Sequence, residues 1–398
     1  MDHSQFTARA PGLLVEATDA LGNRGHAFVP NNLPPQKDLD LGARPLRVAL
    51  SRADRALARL EGIARQIERP DLLFRNYLRR EAVLSSKIEG THTTLTDLVL
   101  YEATHVPKPG GDNEDVANYV AAFDYGRVRC AEIPIGRQLF KEMHEILMRG
   151  GDIAKTTPGR LRDCLVVIGS PPMSSARFVP PPDLFVNDLL ENLEGYLATE
   201  DEPPLIKLAV AHYQFETIHP FRDGNGRLGR LLITLWLQRE RILTEPILYV
   251  SAYFERRQTE YYDRLLRVST HGEWAEWITF FLNGVETQST DAALRTQRLV
   301  ELRAHYHHML TGPRVTQNLH RLINELFKVP AMSIPAARDV LKLSYPATKA
   351  LMERLIDAGV LDRTPVTVKG TAYYVASELL RALEAPIAEP PRAAGDLR

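Results

Sequence analysis

Residues 219–230 join two stretches of helical sequence through a turn that a helix interior does not tolerate. The run reads HPFRDGNGRLGR, and positions 223–226 combine an aspartate, an asparagine and two glycines. These residue types favour a turn that opens a helix. Apolar residues then recur at helical spacing, which predicts a buried helix that starts at about Gly226. The recurring residues are Leu228, Leu231, Leu232, Leu235 and Trp236.

The same turn has the composition of an anion site. Its glycines let backbone N–H groups approach a ligand, and the positive end of the following helix favours negative charge. Arg227 and Arg230 lie three residues apart on one face of that helix, near the same mouth. A plain loop has no need of two arginines beside a positive helix end. The pattern favours a phosphate chain, with Asp223 available for a divalent metal and His219 available as a base.

This segment resembles the signature of the Fic family, H-x-F-x-D/E-G-N-G-R-x-x-R, at every specified position. The resemblance implies transfer of AMP from ATP to a Ser, Thr or Tyr hydroxyl of a protein, including the enzyme itself, with pyrophosphate as the leaving group. His219 would accept the hydroxyl proton, because its ordinary pKa suits a base near neutrality. Asp223 would hold Mg²⁺ together with phosphate oxygens and waters. Phe221 is assigned to the core, where it fixes the loop.

The remaining motif residues are expected to bind the phosphates of ATP. Backbone N–H groups of the turn from Gly224 to Gly226, with the Asn225 side chain, would meet the developing negative charge. Arg227 and Arg230 would neutralise the β- and γ-phosphates. Relatives that resemble the phosphorylating Doc toxins carry a lysine where this chain has Gly226, so the glycine resembles the adenylylating branch. Tyr261 and Tyr262, in the helix after the motif, are the candidates for adenine recognition.

A second segment resembles the inhibitory motif of the family, S/T-x-x-x-E-G/N. Its residues are Ser85, Glu89 and Gly90, near the end of a predicted inhibitory helix at about 70–90. Ser85 and Glu89 share one helix face, and the helix dipole disfavours a glutamate there unless a cation meets it. We expect Glu89 to pair with Arg230, which would remove the partner of the γ-phosphate and make the enzyme autoinhibited.

A flap is expected at about 160–182, where two short β-prone runs flank a turn-rich connection and predict a hairpin. It corresponds in position to the Fic flap, which holds a target segment by adding it as a strand. The residues expected to pair with the target are Val166, Val167 and Ile168.

The expected fold is mainly α, a Fic-type helical bundle with this β-hairpin flap, followed by a small α+β domain that resembles a winged helix-turn-helix. Residues 1–45 are predicted to form an extended lead segment, because proline, glycine and asparagine are frequent there. The predicted divisions are an N-terminal helical region (1–110), the Fic core (111–290), a connecting helix (291–312), the winged-helix-like domain (313–385) and a disordered tail (386–398).

The C-terminal unit offers little charge for nucleic acid. Its predicted third helix carries Lys349 and Arg354 but also Glu353 and Asp357, whereas DNA binding requires phosphate neutralisation. A protein–protein or dimerisation module is therefore favoured over DNA binding, and a homodimer is expected.

Composition favours a globular protein in a reducing compartment. The 398 residues are 44% hydrophobic and 25% charged, with a net charge of −1, which gives no general attraction to nucleic acid or membrane. Cys130 and Cys164 are the only cysteines, too few for a disulfide framework. A cytoplasmic protein without a membrane segment is expected. Two alternatives stay open: a deAMPylase in which Glu89 orients a water, and a DNA-binding regulator whose Fic site senses nucleotide.

Overall fold

The computed structural model describes residues 1–19, 22–35, 43–67, 69–106, 112–199, 202–310 and 317–385. These residues form a mainly helical protein, as predicted, and none of their helices is long and apolar enough to cross a membrane. Two turns of 3-10 helix lie at His3–Gln5 and Pro70–Leu72. In chain order the other elements are β1 (Gly12–Thr18), β2 (Arg24–Pro30), α1 (Arg44–Arg65), α2 (Phe74–Ile88), α3 (Leu95–Thr104), α4 (Asn113–Arg129), α5 (Arg137–Leu147), α6 (Ile153–Thr156), α7 (Asp183–Leu197), α8 (Pro204–Ile218), α9 (Asn225–Arg239), α10 (Ser251–Arg256), α11 (Gln258–His271), α12 (Trp274–Met309), α13 (Gln317–Lys328), β3 (Ala331–Ser333), α14 (Ile334–Leu341), α15 (Tyr345–Asp357), β4 (Asp362–Val368), β5 (Thr371–Val375) and α16 (Ser377–Glu384).

The two helices that flank the 219–230 motif are buried around almost their whole circumference. Apolar residues face every side of α8 and α9, and even the polar His212, Gln214 and Thr234 are buried. A helix of this kind needs neighbours on all sides. Helices α7, α11 and α12 pack on α8, while α2, α4 and α5 pack on α9. The loop between α8 and α9 is therefore held by the centre of the bundle.

Helix α12 is longer than the sequence prediction. The end of the expected Fic core and the expected connecting helix at 291–312 fall in one continuous helix, from Trp274 to Met309. No proline or glycine interrupts residues 285–309, so nothing in the sequence stops the helix. Helix α1 packs along it. The boundary expected near residue 291 is consequently the interior of a helix.

The N-terminal segment is a β-hairpin, and the prediction of an extended lead segment was wrong. β1 pairs antiparallel with β2, from Gly12 opposite Pro30 to Thr18 opposite Arg24. The strands bury Ala27 and Phe28 completely. Burial of this face gives the hairpin the packing that an isolated hairpin lacks.

The predicted flap is present as a segment, but its two strands are not. Residues 165–179 contain a single antiparallel bridge, between Ile168 and Phe178. The Ile168 N–H donates to the Phe178 carbonyl at 2.9 Å, while the Phe28 N–H of β2 donates to the Val179 carbonyl at 3.0 Å. The flap therefore relies on β2, and on a cluster around Ala27, instead of on a ladder of its own.

The C-terminal unit has the predicted three helices and the predicted wing. Helices α13, α14 and α15 precede the β4–β5 hairpin, and β3 adds a third strand in the order β3-β5-β4. On α15, Lys349 pairs with Glu353 at 3.6 Å, so this helix carries its own counter-charge. α16 follows the wing and packs on α2 and α12. The tail predicted at 386–398 lies outside the described residues.

Candidate active site

The predicted turn and helix at the motif are confirmed. His219 ends α8 in the left-handed conformation (φ 50°, ψ 61°), and its N–H donates to the Phe215 carbonyl at 3.0 Å. Gly224 precedes α9 at φ 76°, which a glycine accepts without strain. α9 begins at Asn225, one residue before the predicted start. A non-glycine residue held at positive φ is a feature often found at functional sites.

The side chain of Asn225 closes the loop. Its Oδ1 accepts the Phe221 N–H and its Nδ2 donates to the Phe221 carbonyl, both at 2.9 Å. Asn225 is 1% exposed and Phe221 fully buried, so these two bonds satisfy backbone groups that water cannot reach. These bonds use Oδ1 and one of the two Nδ2 hydrogens, so the expected contact of this amide with phosphate stays a prediction, whereas the core assignment of Phe221 is confirmed.

His144, which sequence reasoning missed, supports the loop from α5. Its ring lies parallel to that of Phe221, with 3.8 Å between centroids and 10° between planes. Nδ1 accepts the Gly159 N–H at 3.0 Å, so the proton sits on Nε2, which donates to the Asp223 carbonyl at 3.0 Å. Burial lowers the pKa of His144 to about 4, which keeps the ring neutral. A histidine within an apolar helix face carries no sequence signal for this role.

Arg162 is a second support that the sequence did not reveal. It is 3% exposed, and its Nε donates to the His219 carbonyl at 2.8 Å. Its Nη2 donates to the carbonyls of Pro181 and Ile218, at 2.5 and 3.2 Å. One guanidinium thus ties the end of the flap to the end of α8. The residues next to Arg162 in the sequence do not indicate that its side chain is buried.

A cavity of about 310 Å³ lies between the flap, α8, α9 and α11. Its lining combines charged and polar residues with aromatic and aliphatic ones. The polar lining includes Glu89, Glu216, His219 and Arg230, and the apolar lining includes Ile168, Phe178, Tyr261, Tyr262, Leu265 and Leu266. This combination of an apolar pocket with a few convergent polar groups is typical of small-molecule sites.

Arg230 contacts Ser85 and Glu89 of the inhibitory motif. Its Nη2 donates to Glu89 Oε1 at 2.6 Å, and its Nε donates to Ser85 Oγ at 2.9 Å. Nη2 also donates to the Ser85 carbonyl at 2.9 Å. Helix α2 stops directly before Glu89, and Gly90 follows at φ 95°, as predicted. The predicted contact between Glu89 and Arg230 is present.

Asp223 and Arg227 lie on either side of the first residue of α9 and differ in exposure. The Asp223 side chain is 60% exposed, and its Oδ1 accepts the Gly224 N–H at 2.6 Å. The buried Arg227 has only long ionic contacts, 3.8 Å to Asp223 and 3.9 Å to Asp115. Its Nε has no partner among the residues that the structure describes. Its charge is therefore only loosely compensated, which suits an incoming anion.

A magnesium ion fits this donor set only through one protein carboxylate. The residues described here contain no group of three or more side chains that could hold a metal by themselves. Mg²⁺ commonly uses one or two carboxylates and completes its shell with phosphate and water oxygens. The exposed Asp223 carboxylate beside the start of α9 meets that requirement.

The electrostatics around His219 keep its ring neutral. Burial is the main cause that lowers its pKa, to about 4, and the charge of Arg162 acts in the same direction. Nδ1 lies 3.3 Å from the Glu216 carbonyl. A proton on Nδ1 that donates to this carbonyl leaves the lone pair on Nε2. His219 thus has the protonation state of a base at neutral pH.

Glu216 is a buried carboxyl beside this site that the sequence did not single out. Burial raises its pKa to about 8, an effect that the charge of Arg230 opposes and that of Glu89 reinforces. Its Oε1 has no hydrogen-bond partner among the described residues and lies 3.9 Å from His212 Nε2. Because burial also lowers the pKa of His212 to about 3, this contact is not an ion pair.

The two tyrosines proposed for adenine differ in their surroundings. Tyr261 is 1% exposed, stacks on Phe254 at 4.4 Å and meets His212 Nε2 through its hydroxyl at 2.9 Å. It is a core residue that reaches the cavity with one edge. Tyr262 is half-buried on the cavity wall, and the Arg177 guanidinium lies 6.0 Å from its ring centroid. Tyr262 is the better placed of the two.

The flap residues expected to pair with a target have different neighbours. Ile168 lines the cavity and makes the bridge to Phe178. Val167 packs against the cluster around Ala27. Within the described part of the chain, the backbone groups of Val166 and Val167 have no backbone hydrogen-bond partner. These groups are therefore free to pair with an added strand.

Two families of known proteins match the helical regions that contribute residues to this site. The Fic/DOC family N-terminal domain matches residues 47–127, and the Fic/DOC family domain matches residues 134–237. A probable protein adenylyltransferase of Aquifex aeolicus is 28% identical over 193 residues, which are 46% of this chain and 57% of that protein. A protein adenylyltransferase of Caenorhabditis elegans, fic-1, is 34% identical over 101 residues, 25% of this chain and 18% of that protein. The chain thus spans about half the length of the first of these relatives and a fifth of the second.

Solved structures support the fold over a longer range. A Fic family protein from Desulfovibrio desulfuricans superposes with a TM-score of 0.55 at 24% identity and covers 86% of this chain and 98% of that one. A Fic domain containing signaling protein from Bacteroides thetaiotaomicron gives a TM-score of 0.50 at 15% identity, over 62% of this chain and 95% of that one. Both Fic/DOC domains thus match this chain in order, within residues 47–237, and the signature loop between α8 and α9 lies inside the second match.

Proposed function

We propose that this chain is a protein adenylyltransferase that transfers AMP from ATP to a side-chain hydroxyl of a protein, and that Glu89 inhibits it. The names of its relatives in Aquifex aeolicus and Caenorhabditis elegans support the reaction type. The observation that carries the proposal is the position of the Glu89–Arg230 pair in the same cavity as His219. A buried arginine beside a base suits a polyphosphate whose first phosphorus is attacked.

In this reaction the oxygen of the target hydroxyl bonds to the α-phosphorus while the bond to the β-phosphate breaks. The hydroxyl proton moves to Nε2 of His219, and pyrophosphate leaves with the electron pair of the broken bond. Burial lowers the pKa of His219 to about 4, so the imidazole is neutral and able to accept a proton before the step. Arg162 and the Glu216 carbonyl orient the residue from two sides.

The start of α9 would receive the phosphates. Its free N–H groups and the positive end of its dipole favour the charge that develops on the α-phosphate. Arg227 has an unpartnered Nε beside this point. Asp223 would hold magnesium, which neutralises phosphate charge when bound. Asn225 would contribute its backbone N–H and the second Nδ2–H, because the two bonds to Phe221 use Oδ1 and only one Nδ2 hydrogen.

Inhibition would follow from competition for Arg230. The Glu89 carboxylate accepts the hydrogen bond of Arg230 Nη2 that the γ-phosphate would accept. It also adds negative charge where that phosphate would bind. ATP can then bind only in an unproductive position. The target would be held by the open backbone of Val166 and Val167, which supports docking as an added strand with little demand on target sequence.

The test uses ATP radiolabelled at the α-phosphate and, separately, at the γ-phosphate. The Glu89→Gly variant should incorporate the α-label into itself at a rate roughly ten-fold or more above wild type, equivalent to about 1.4 kcal/mol of barrier. The γ-label should not be incorporated. Incorporation of the γ-label would mean phosphate transfer, and absence of both labels would refute the proposal.

His219→Ala in the Glu89→Gly background is the control. It should abolish incorporation and leave the affinity for ATP with magnesium largely intact, because the imidazole acts on the hydroxyl and not on the nucleotide. Transfer that survived in this variant would exclude His219 as the base.

A further inference from the structure

The inhibitory helix α2 is attached to the C-terminal domain by two buried polar side chains. Asn76 is fully buried, and its Nδ2 donates to the Phe327 carbonyl at 2.5 Å. Arg79 is 2% exposed, and its Nη1 donates to the Lys328 carbonyl at 2.6 Å and to Asn76 Oδ1 at 2.7 Å. Both carbonyls belong to the end of α13, where helix carbonyls lack intrahelical partners and attract cations.

Arg79 also connects a third helix to this junction. Its Nε donates to Glu102 Oε2 on α3 at 2.7 Å. All three elements therefore meet at one guanidinium that water does not reach. Removing one partner from such a buried charged group is costly, so the junction holds α2 in one register against α13.

The same helix carries the inhibitory contact at its other end. Arg79 and Glu89 are ten residues apart, which is about 15 Å along a helix. Ser85 and Glu89 both bind Arg230 there. A helix of this length moves as a rod, so its position at α13 constrains its position at the cavity.

We infer that residues 317–385 act as a clamp on α2, and that Asn76 and Arg79 are positioning residues which place Glu89 on Arg230. An event that loosens α13 from α2 would then raise AMP transfer without any change in the cavity itself. The inference rests on the proposed function, because it assigns a cause to the inhibition proposed there. It also assigns residues 317–385 a function that does not require nucleic acid.

The test measures self-adenylylation of the full chain in Asn76→Ala and Arg79→Ala, each with Glu89 present and in the Glu89→Gly background. With Glu89 present, each variant should raise the rate several-fold, toward the rate of Glu89→Gly. In the Glu89→Gly background neither should add more than about two-fold, because no carboxylate remains to be positioned. A merely structural effect would not depend on the background in this way.

Arg75→Ala is the matched control. Arg75 stands four residues before Arg79 on the same helix, but it pairs with the exposed Asp124 of α4 at 3.2 Å. Among the described residues it makes no hydrogen bond or ion pair with α13, so its loss should leave the basal rate within about two-fold, as for other exposed ion pairs.

Hydrogen exchange gives a readout that does not depend on transfer. The amides of residues 80–88 should exchange faster in Asn76→Ala and Arg79→Ala than in wild type or Arg75→Ala. If Arg79→Ala does not fold, Asn76→Ala decides the matter, since it deletes a neutral amide and leaves the charge paired with Glu102. Unchanged exchange and transfer in folded variants, or an equal rise in both backgrounds, would overturn the clamp. If Glu89→Gly is inactive, that result counts against the proposed function. The clamp is then tested by hydrogen exchange alone.

Discussion

Glu89 Oε1 accepts a hydrogen bond of 2.6 Å from Arg230 Nη2, across 141 positions of the sequence. The two side chains differ in exposure, 35% for Glu89 and 1% for Arg230. The carboxylate can therefore leave into water at small cost, whereas the guanidinium stays buried. A buried cation that loses its partner favours another anion in the same place. This asymmetry makes one site suitable for either the glutamate or a phosphate.

Gly226→Ala should weaken the contact between Glu89 and Arg230. A Cβ at position 226 would lie 2.3 Å from Glu89 Oε1 and 2.9 Å from Arg230 Nη1. Because the Glu89 carboxylate is the far end of a partly exposed side chain and can shift, we expect the variant to lower the free energy of unfolding by about 1 kcal/mol, at the low end of the usual cost of overpacking. In the Glu89→Gly background the carboxylate is absent and the loss should vanish. Denaturant unfolding of the four proteins measures this, and an equal loss in both backgrounds would contradict it.

The rate of Glu89→Gly should be insensitive to His219 protonation near neutrality. Burial lowers the pKa of His219 to about 4, so the base form dominates above that value and is lost only as pH falls through it. The value of kcat/KM for ATP reports the free enzyme, in which no triphosphate lies beside His219. Between pH 6 and 8 the kcat/KM of Glu89→Gly should therefore change by less than about two-fold from this group. Half of the rate lost already at pH 6.5 would indicate an ordinary histidine.

Glu216→Gln should gain stability relative to wild type as pH rises. The folded-state pKa of Glu216 is raised to about 8 by burial, against an ordinary value of 4.5. The folded protein thus binds the proton more tightly than the unfolded chain, so this stabilising contribution is full below pH 4.5 and is lost as pH rises through 8.

The glutamine has no such titration. The difference in the free energy of unfolding between Glu216→Gln and wild type should therefore shift in favour of the variant by on the order of 1 kcal/mol or more from pH 5 to pH 8.5. Glu81, whose pKa burial raises to about 7, is present in both proteins and cancels in the comparison. A difference that is constant with pH would show that Glu216 is not protonated in the folded state.

Asn225→Ala should destabilise the protein by removing both bonds to the Phe221 backbone. Two buried polar groups would be left without partners, at about 1–3 kcal/mol each. Asn118→Ala is the control, because the Asn118 amide is partly exposed and donates only to the Arg149 carbonyl at 2.8 Å. Thermal unfolding should show a loss several times larger at position 225 than at position 118. Similar losses would mean that the loop does not depend on this amide.

Local patterns predicted the parts of the site that depend on neighbours in sequence. The turn at 223–226 and the apolar spacing after it located the start of α9 to within one residue. The spacing of Ser85 and Glu89 placed both on one face at a helix end, where they do contact Arg230. The β4–β5 hairpin was predicted as the wing of the winged helix-turn-helix that the C-terminal unit resembles.

Contacts between distant segments were not accessible in the same way. His144 and Arg162 support the loop from 79 and 57 residues away, and neither residue type is unusual where it stands. An asparagine side chain can bind a phosphate or backbone groups of its own loop. The sequence alone does not show that the Asn225 side chain binds the Phe221 backbone. The flap accepts a backbone hydrogen bond from β2, and the sequence analysis had placed β2 within an extended lead segment.

The most direct test of the account is the intact mass of the full chain after incubation with ATP and magnesium. Glu89→Gly should gain the mass of one or more AMP units, wild type should gain little, and Glu89→Gly with His219→Ala should gain none. A Glu89→Gly protein that folds, binds ATP and keeps its original mass would contradict the claim that Arg230 serves either the inhibitory glutamate or the substrate.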